Sequence, residues 1–389
     1  MDATQRLDAL LAPELAALKE KSLYRLRRLV AGPQGPELDA DGVTLLNFSS
    51  NDYLGLAADP RLAEAAKRGL DEYGLGAGAA HLVTGHSLAH HALEDELAAF
   101  CGRPRALLFS SGYMANLGLA GALLARGDRV LEDRLNHASL LDAGLLSGAR
   151  FARYAHCNVG SLKRELEGET GMALVMTDGV FSMDGNIAPL PALADAVNGS
   201  GAFLSVDDAH GFGVIGAGGR GSLEYHGLDG AAAPVYMATL GKACGSFGAF
   251  VSGSEALIET LIQQARTYIF TTATPPALAE ATRAALKLVA TETWRRDHLN
   301  SLIARFRAGA TQLDLKLMES ITPIQPLLVG ESEQALALSQ KLKAQGILAA
   351  AIRPPTVPAG TARLRITLTA SHTEAHVDRL LSALATAKP

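Results

Sequence analysis

The chain has 389 residues and is 48% hydrophobic, enough to bury a large core and too much for a disordered or fibrous chain. Its 35 Lys+Arg against 40 Asp+Glu leave a net charge of −5, which gives no basic excess for nucleic acid or an anionic membrane. The three cysteines, Cys101, Cys157 and Cys244, are far apart with no CxxC pair, which argues against a disulfide scaffold or a cysteine–zinc site and suits a reducing cytoplasm.

The opening Met1-Asp2-Ala3-Thr4-Gln5-Arg6 lacks the basic-then-apolar pattern of a signal peptide, and no run of about 18 apolar residues predicts a membrane span. Residues 7–30 place Leu, Ala, Lys and Arg at helical spacing and stop at Gly32-Pro33-Gln34-Gly35-Pro36, which predicts an N-terminal helix. From about residue 47, short β-rich runs alternate with helical stretches. Strands are predicted over Ala106–Phe109, Arg129–Leu131, Ala173–Thr177, Ala202–Val206, Val235–Ala238 and Ala249–Ser252, and helices over 60–72, 87–100, 113–125 and 190–198. That alternation implies parallel pairing with right-handed crossovers, an α/β sheet covered on both faces. After Pro275-Pro276 a long helical stretch, 276–308, leads to Ile324–Val329, a helix over 332–345, Leu348–Ile352, Leu364–Leu368 and a helix over 373–387. The expected organisation is an N-terminal helical segment (1–46), a large domain (47–285) and a smaller α+β domain (286–389).

Ligands of such sheets sit beyond the carboxyl ends of the strands. Five successive strand ends carry polar groups there. Ser110-Ser111-Gly112-Tyr113 can cap a helix or cradle a phosphate. Asn136-His137-Ala138-Ser139 offers a base or a flat ring, and Thr177–Gly185 is a polar loop containing Ser182. Asp207-Asp208-Ala209-His210 follows an apolar run, and Lys242 is the only charge between Asp229 and Glu255. A lysine in so weakly polar a stretch can be desolvated and form Schiff bases. Pyridoxal 5′-phosphate needs this set together: a lysine for its aldehyde, a carboxylate for its ring nitrogen, an anion cradle and a stacking side chain.

Two rival readings are weaker. Gly211-Phe212-Gly213-Val214-Ile215-Gly216 matches the dinucleotide fingerprint of an NAD-dependent oxidoreductase, but the glycine-rich Ala217–Ser222 that follows cannot open the required helix. His86, His90 and Glu94 fall at i, i+4 and i+8 on a predicted helix, yet no further ligands complete a metal set, and packing histidines are the expectation.

On its motifs the chain resembles the α-oxoamine synthases, pyridoxal-phosphate enzymes that condense an amino acid with an acyl thioester and release carbon dioxide. The motifs run from Ser22-Leu23-Tyr24-Arg25 through Asn47–Leu56, Val206–Gly211 and Thr239–Ala243 to Arg365-Ile366-Thr367. The resemblance implies an aminotransferase-like large domain of fold type I with a mostly parallel central sheet. It implies that Lys242 holds the cofactor, Asp207 pairs with its ring nitrogen, His210 bonds its ring oxygen and His137 stacks on its face. Gly112, Tyr113 and Thr239 would surround the phosphate, Ser182 would line the cofactor site, and Thr271 and Thr272 would reach the neighbouring subunit's phosphate in a homodimer. Arg25, His137, Arg353 and Thr356 would meet substrate, Arg353 at the amino-acid carboxylate. The stretch Ala351–Pro358 is similar to the branch that joins L-alanine to a pimeloyl thioester of coenzyme A or acyl carrier protein; branches using glycine are the alternative. Cys244, beside the lysine, reads as filler.

Overall fold

Asp2 starts the first helix, Ala3–Glu20, through a reciprocal capping box with Gln5. The structure, a computed structural model, describes residues 1–21, 23–167 and 172–387, so Ser22 of the first motif lies outside the described residues. The helix buries none of its residues and stops ten residues short of the predicted end. Beyond it residues 23–29 run without regular structure into a short strand. Leu29 donates its N–H to the Asp41 carboxylate (2.9 Å), and β1 (Val30–Ala31) pairs with β2 (Glu37–Ala40), so a long-range ladder overrides local helical spacing. β2 returns through Asp41-Gly42, both at positive φ, into β3 (Val43–Asn47). The segment expected to be helical up to residue 46 therefore ends in three strands.

The central sheet contains β4 (Arg105–Phe109), β5 (Arg129–Asp133), β6 (Arg150–Tyr154), β7 (Ala173–Asp178), β8 (Phe203–Asp207), β9 (Val235–Thr239) and β10 (Ala249–Gly253). Their spatial order is β4-β10-β9-β8-β7-β5-β6. All six expected strands form and β6 is additional. Five strands, β5 to β9, run parallel, but β10 is antiparallel to both its neighbours. The expectation of parallel pairing fails there because the Leu240–Gly248 connection holds no helix to carry the chain back across the sheet. Alternate residues serve opposite cores: Val175 and Leu204 pack on one face, and Leu174, Met176 and Met237 on the other.

The predicted helical stretch 276–308 is two helices, Pro276–Thr291 and Trp294–Gln312. Glu292 leaves helical angles between them, its carboxylate gripped by Arg61 (2.6 Å) and Arg295 (2.8 Å). β11 (Ile324–Gly330) follows. The run Leu348–Ile352 is split at Ala349 into β12 (Ile347–Leu348), parallel to β3, and β13 (Ala350–Ile352), antiparallel to β14 (Ala362–Thr367). Two small sheets result, β1-β2-β3-β12 and β11-β14-β13. Among the described residues no helix is long and apolar enough to cross a membrane.

Candidate active site

The strand register gathers the polar loops on one edge. Asp178 lies beside Asp207, and Asp207 beside Met237. The antiparallel β10 puts Ala249 opposite both Thr239 and Phe109, so the loops after β4 and β9 leave the sheet side by side. Lys242 stands in the turn after β9. Gly245 N–H donates to the Lys242 carbonyl and Ser246 N–H to that of Leu240, which closes the turn. Gly245 is at φ +60, and a Cβ there would lie 2.3 Å from the Ala57 backbone nitrogen. The turn is thus pressed against the Asn47–Leu56 motif, where only glycine fits.

The Lys242 Nζ is 2.8 Å from His210 Nε2. Burial lowers the lysine pKa to about 8, against the pull of Asp207 and Asp178, so a sizeable share is neutral amine in mildly basic solution. Asp207 is buried with both oxygens held: Oδ2 accepts from Asn116 Nδ2 (2.8 Å) and Oδ1 from Ala209 N–H (3.0 Å). Asn116 also donates to Ser139 Oγ (2.9 Å), which lies 2.8 Å from His137 Nδ1. The His137 N–H donates to Asp178 Oδ2 (2.8 Å), fixing the ring's approach. Burial, reinforced by Asp207, drives Asp178 far above the carboxylate range, and burial holds His137 and His210 below the usual histidine value.

At the start of the helix Gly112–Leu123, Ser111 Oγ accepts from Met114 N–H. No hydrogen bond of the described residues uses the Gly112 or Tyr113 N–H, so two donors at the positive helix end remain open. The Tyr113 side chain turns away to the Asp142 carboxylate. Thr239 Oγ1 donates to the Gly248 carbonyl (2.9 Å) and accepts from Gly241 N–H. A cavity of about 830 Å³ is lined by His137, Ser182 and Thr356, with Phe181, Met183, Met318 and Val357 as apolar wall and Arg134, Arg153 and His156 as basic rim. Arg353 is half-buried one turn before Thr356, whose N–H donates to its carbonyl. Arg25 is exposed in the extended segment before β1, and the described contacts do not tie it to the others. Thr272 forms an isolated bridge with Ala80, also outside the cluster within this chain.

Four residues of this site had no role assigned from sequence. Asn116 and Asp178 hold Asp207 and His137. Tyr53, wholly buried, places its hydroxyl 2.5 Å from His210 Nδ1. Arg365 reaches the Ser182 carbonyl (2.6 Å) and Asn51 Oδ1 (3.1 Å). Arg363 and Arg365 alternate with Leu364 and Ile366 in a wholly buried strand, a readable signal, because two buried arginines at that spacing require partners. The dinucleotide reading fails on geometry. Gly211–Gly216 opens no helix; its loop folds around the Glu224 carboxylate, which accepts from Gly218 and Arg220 N–H. His86 precedes the helix Leu88–Cys101 rather than lying on it; its ring meets His81 Nδ1 (3.0 Å) and lies 3.9 Å from the Glu94 carboxylate, while the His90 nitrogens are engaged by Ser87 and by the Thr274 carbonyl.

An amine desolvated beside a doubly held carboxylate, with paired open N–H groups along the same edge, is a donor set that fits a flat aldehyde phosphate with a basic ring nitrogen. The fold is that of the fold type I pyridoxal-phosphate enzymes. The chain belongs to the aminotransferase class I and II family, whose model matches residues 43–384, and within it to the α-oxoamine synthases. It is 63% identical over 376 residues to 8-amino-7-oxononanoate synthase of Thioalkalivibrio sulfidiphilus, covering 96% of each chain. It is 63% identical over 372 residues to the enzyme of that name from Nitrosococcus oceani, covering 95% and 99%. Among solved structures it resembles Sphingomonas wittichii serine palmitoyltransferase (31% identity, TM-score 0.92, covering 100% and 98%). It also resembles 8-amino-7-oxononanoate synthase from Francisella tularensis (33%, TM-score 0.78, covering 88% and 97%).

Proposed function

We propose that this enzyme joins L-alanine to a pimeloyl thioester and yields 8-amino-7-oxononanoate, carbon dioxide and the free thiol, a step of biotin biosynthesis. The observation that carries the reading is the Lys242 amine set among Asp207, Asp178 and His210 at the strand ends. The relatives' shared name supports the choice of substrates over glycine-using sister reactions. Pyridoxal phosphate, when bound, supplies an electron-withdrawing ring that takes up the electron pair left at the amino-acid α-carbon. Lys242 would hold its aldehyde carbon, and its free amine would carry the α-proton on Nζ; a pKa near 8 suits both tasks. Asp207 would pair with the ring nitrogen, His137 would cover the ring face and His210 would offer a hydrogen bond at the ring oxygen. Gly112, Tyr113 and Thr239 would take the phosphate, with Ser182 at the wall.

The cavity bounded by His137 and Thr356 receives the acyl chain along its apolar side, and Arg25, Arg353 and Thr356 orient substrate. The reading includes a homodimer in which Thr271 and Thr272 reach the partner's phosphate. Exposed Leu75, Leu82, Val83 and Phe270, within a few residues of the Ala80–Thr272 bridge, support an interface there. It also includes a cytoplasmic setting, supported by three free cysteines, and a cofactor-binding unit over 47–285 with a smaller unit over 286–389. The test is product mass after incubation with L-alanine or glycine and pimeloyl thioesters of coenzyme A and acyl carrier protein. A product from glycine alone would move the enzyme to a sister reaction.

A further inference from the structure

We propose that Tyr53 is a positioning residue that fixes His210 as the tautomer protonated on Nε2, so that this nitrogen presents an N–H to Lys242 and to the cofactor's place. The inference rests on the pyridoxal-phosphate reading above. The Tyr53 hydroxyl has three neighbours: His210 Nδ1 at 2.5 Å, Asn51 Oδ1 at 3.3 Å and an Arg365 guanidinium nitrogen at 3.4 Å. Arg365 has only hydrogens to give, so toward it the phenol oxygen accepts. The single phenolic hydrogen must then go to Nδ1 or to Asn51. Asn51 Oδ1 already takes two N–H groups of Arg365, at 3.1 and 3.2 Å. The much shorter contact assigns the hydrogen to Nδ1.

A neutral histidine whose Nδ1 accepts carries its proton on Nε2. Neutrality follows from the surroundings. His210 is buried and faces Lys242 and Arg365, and both conditions disfavour an imidazolium. Its Nε2 lies 2.8 Å from the Lys242 nitrogen, where an N–H suits a neutral amine's lone pair and opposes an ammonium. The other titratable groups facing Lys242 are Asp207 from β8, which favours the ammonium, Asp178 from β7, which does so only where it gives up the proton that burial holds on it, and Arg365 from β14, which opposes it. Tyr53 thus sides with Arg365 and holds the lysine toward its nucleophilic form. No part of Tyr53 needs to touch substrate for this.

Tyr53→Phe keeps the buried ring and removes the hydroxyl. His210 can then turn a bare Nε2 toward the ammonium, and Lys242 should hold its proton about tenfold more tightly, an upward shift of about one pH unit. The experiment uses the full chain stripped of cofactor and mixed with pyridoxal phosphate from pH 6 to 10, with covalent capture followed by visible absorbance. The neutral amine condenses with the aldehyde and water leaves, so the pH midpoint of the capture rate reports Lys242. The expected result is a midpoint near 8 for the wild type and about one unit higher for Tyr53→Phe, with the two rates converging at high pH. Nitrogen-15 NMR of the histidine rings, with His210 assigned by its loss in His210→Gln, should show the wild-type ring protonated on Nε2. An unshifted midpoint overturns the proposal, as does a wild-type His210 protonated on Nδ1, a result that does not depend on Tyr53→Phe folding. If the wild type captured no pyridoxal phosphate at any pH, the functional reading would fall and this inference with it; normal capture with an unshifted midpoint would sink this inference alone.

Discussion

Both carboxylate oxygens of Asp207 are held, and the hold on Oδ2 comes from one side chain, Asn116. Hydrogen bonds to charged groups contribute about 1.5–3 kcal/mol each, and a buried acceptor stripped of its donor loses that stabilisation. Asn116→Ala should therefore weaken pyridoxal-phosphate binding about 10- to 100-fold, read by titration of the stripped protein. A second residue away from the site makes stability depend on pH. Burial pushes Glu94 up to about 8, against a hydrogen bond from Leu108 N–H that pulls it down. The folded chain keeps that proton between about pH 4.5 and 8, whereas the unfolded chain has released it. Folded protein binds more protons there, so this group's stabilising contribution falls as pH rises through that window. Glu94→Gln keeps an acceptor for Leu108 and removes the titration. Its Tm advantage over the wild type should be larger at pH 8 than at pH 5 by about 2 °C or more in thermal melts.

The turn between β9 and β10 shows what an element adds to its residues. Lys242 is anchored on both flanks, by the parallel ladder to β8 and by the antiparallel one to β10. Gly245 lets the turn sit against Leu56 and Ala57 without a gap. Gly245→Ala would need left-handed backbone angles and would drive a methyl into main chain. It should destabilise the fold by about 2 kcal/mol or more and slow covalent capture of the cofactor, checked by urea denaturation and absorbance. Here the sequence was legible in part. Each strand of the main sheet that carries a site loop showed as an apolar run, because buried strands leave that mark. The direction of β10 did not, since a short apolar run reads the same whichever way it points. The pair Asp41-Gly42 was an available hairpin signal, and the helical spacing of residues 7–30 obscured it. Lys242, Asp207, His210 and His137 come from strand ends that local patterning marks, while Tyr53 and Asn116 act through contacts 157 and 91 residues away along the chain, beyond the reach of local spacing.

For the whole molecule, a shared site has a signature that no single subunit can imitate. If Thr271 and Thr272 complete the partner's phosphate site, mixing inactive Lys242→Ala subunits with a Thr271→Ala, Thr272→Ala variant must rebuild one intact site in each mixed dimer. Random exchange should restore about a quarter of wild-type activity, measured after co-refolding. No recovery would place the two threonines in their own subunit's service. The pairing of β3 with β12 has a consequence for how the protein is made. Leu46 cannot meet Ile347 until roughly 300 further residues have been synthesised, which at about 5–20 residues per second is about 15–60 s. Through that interval the hairpin waits with one edge bare, open to misassembly and chaperone capture, until β12 arrives as the clasp that fastens it.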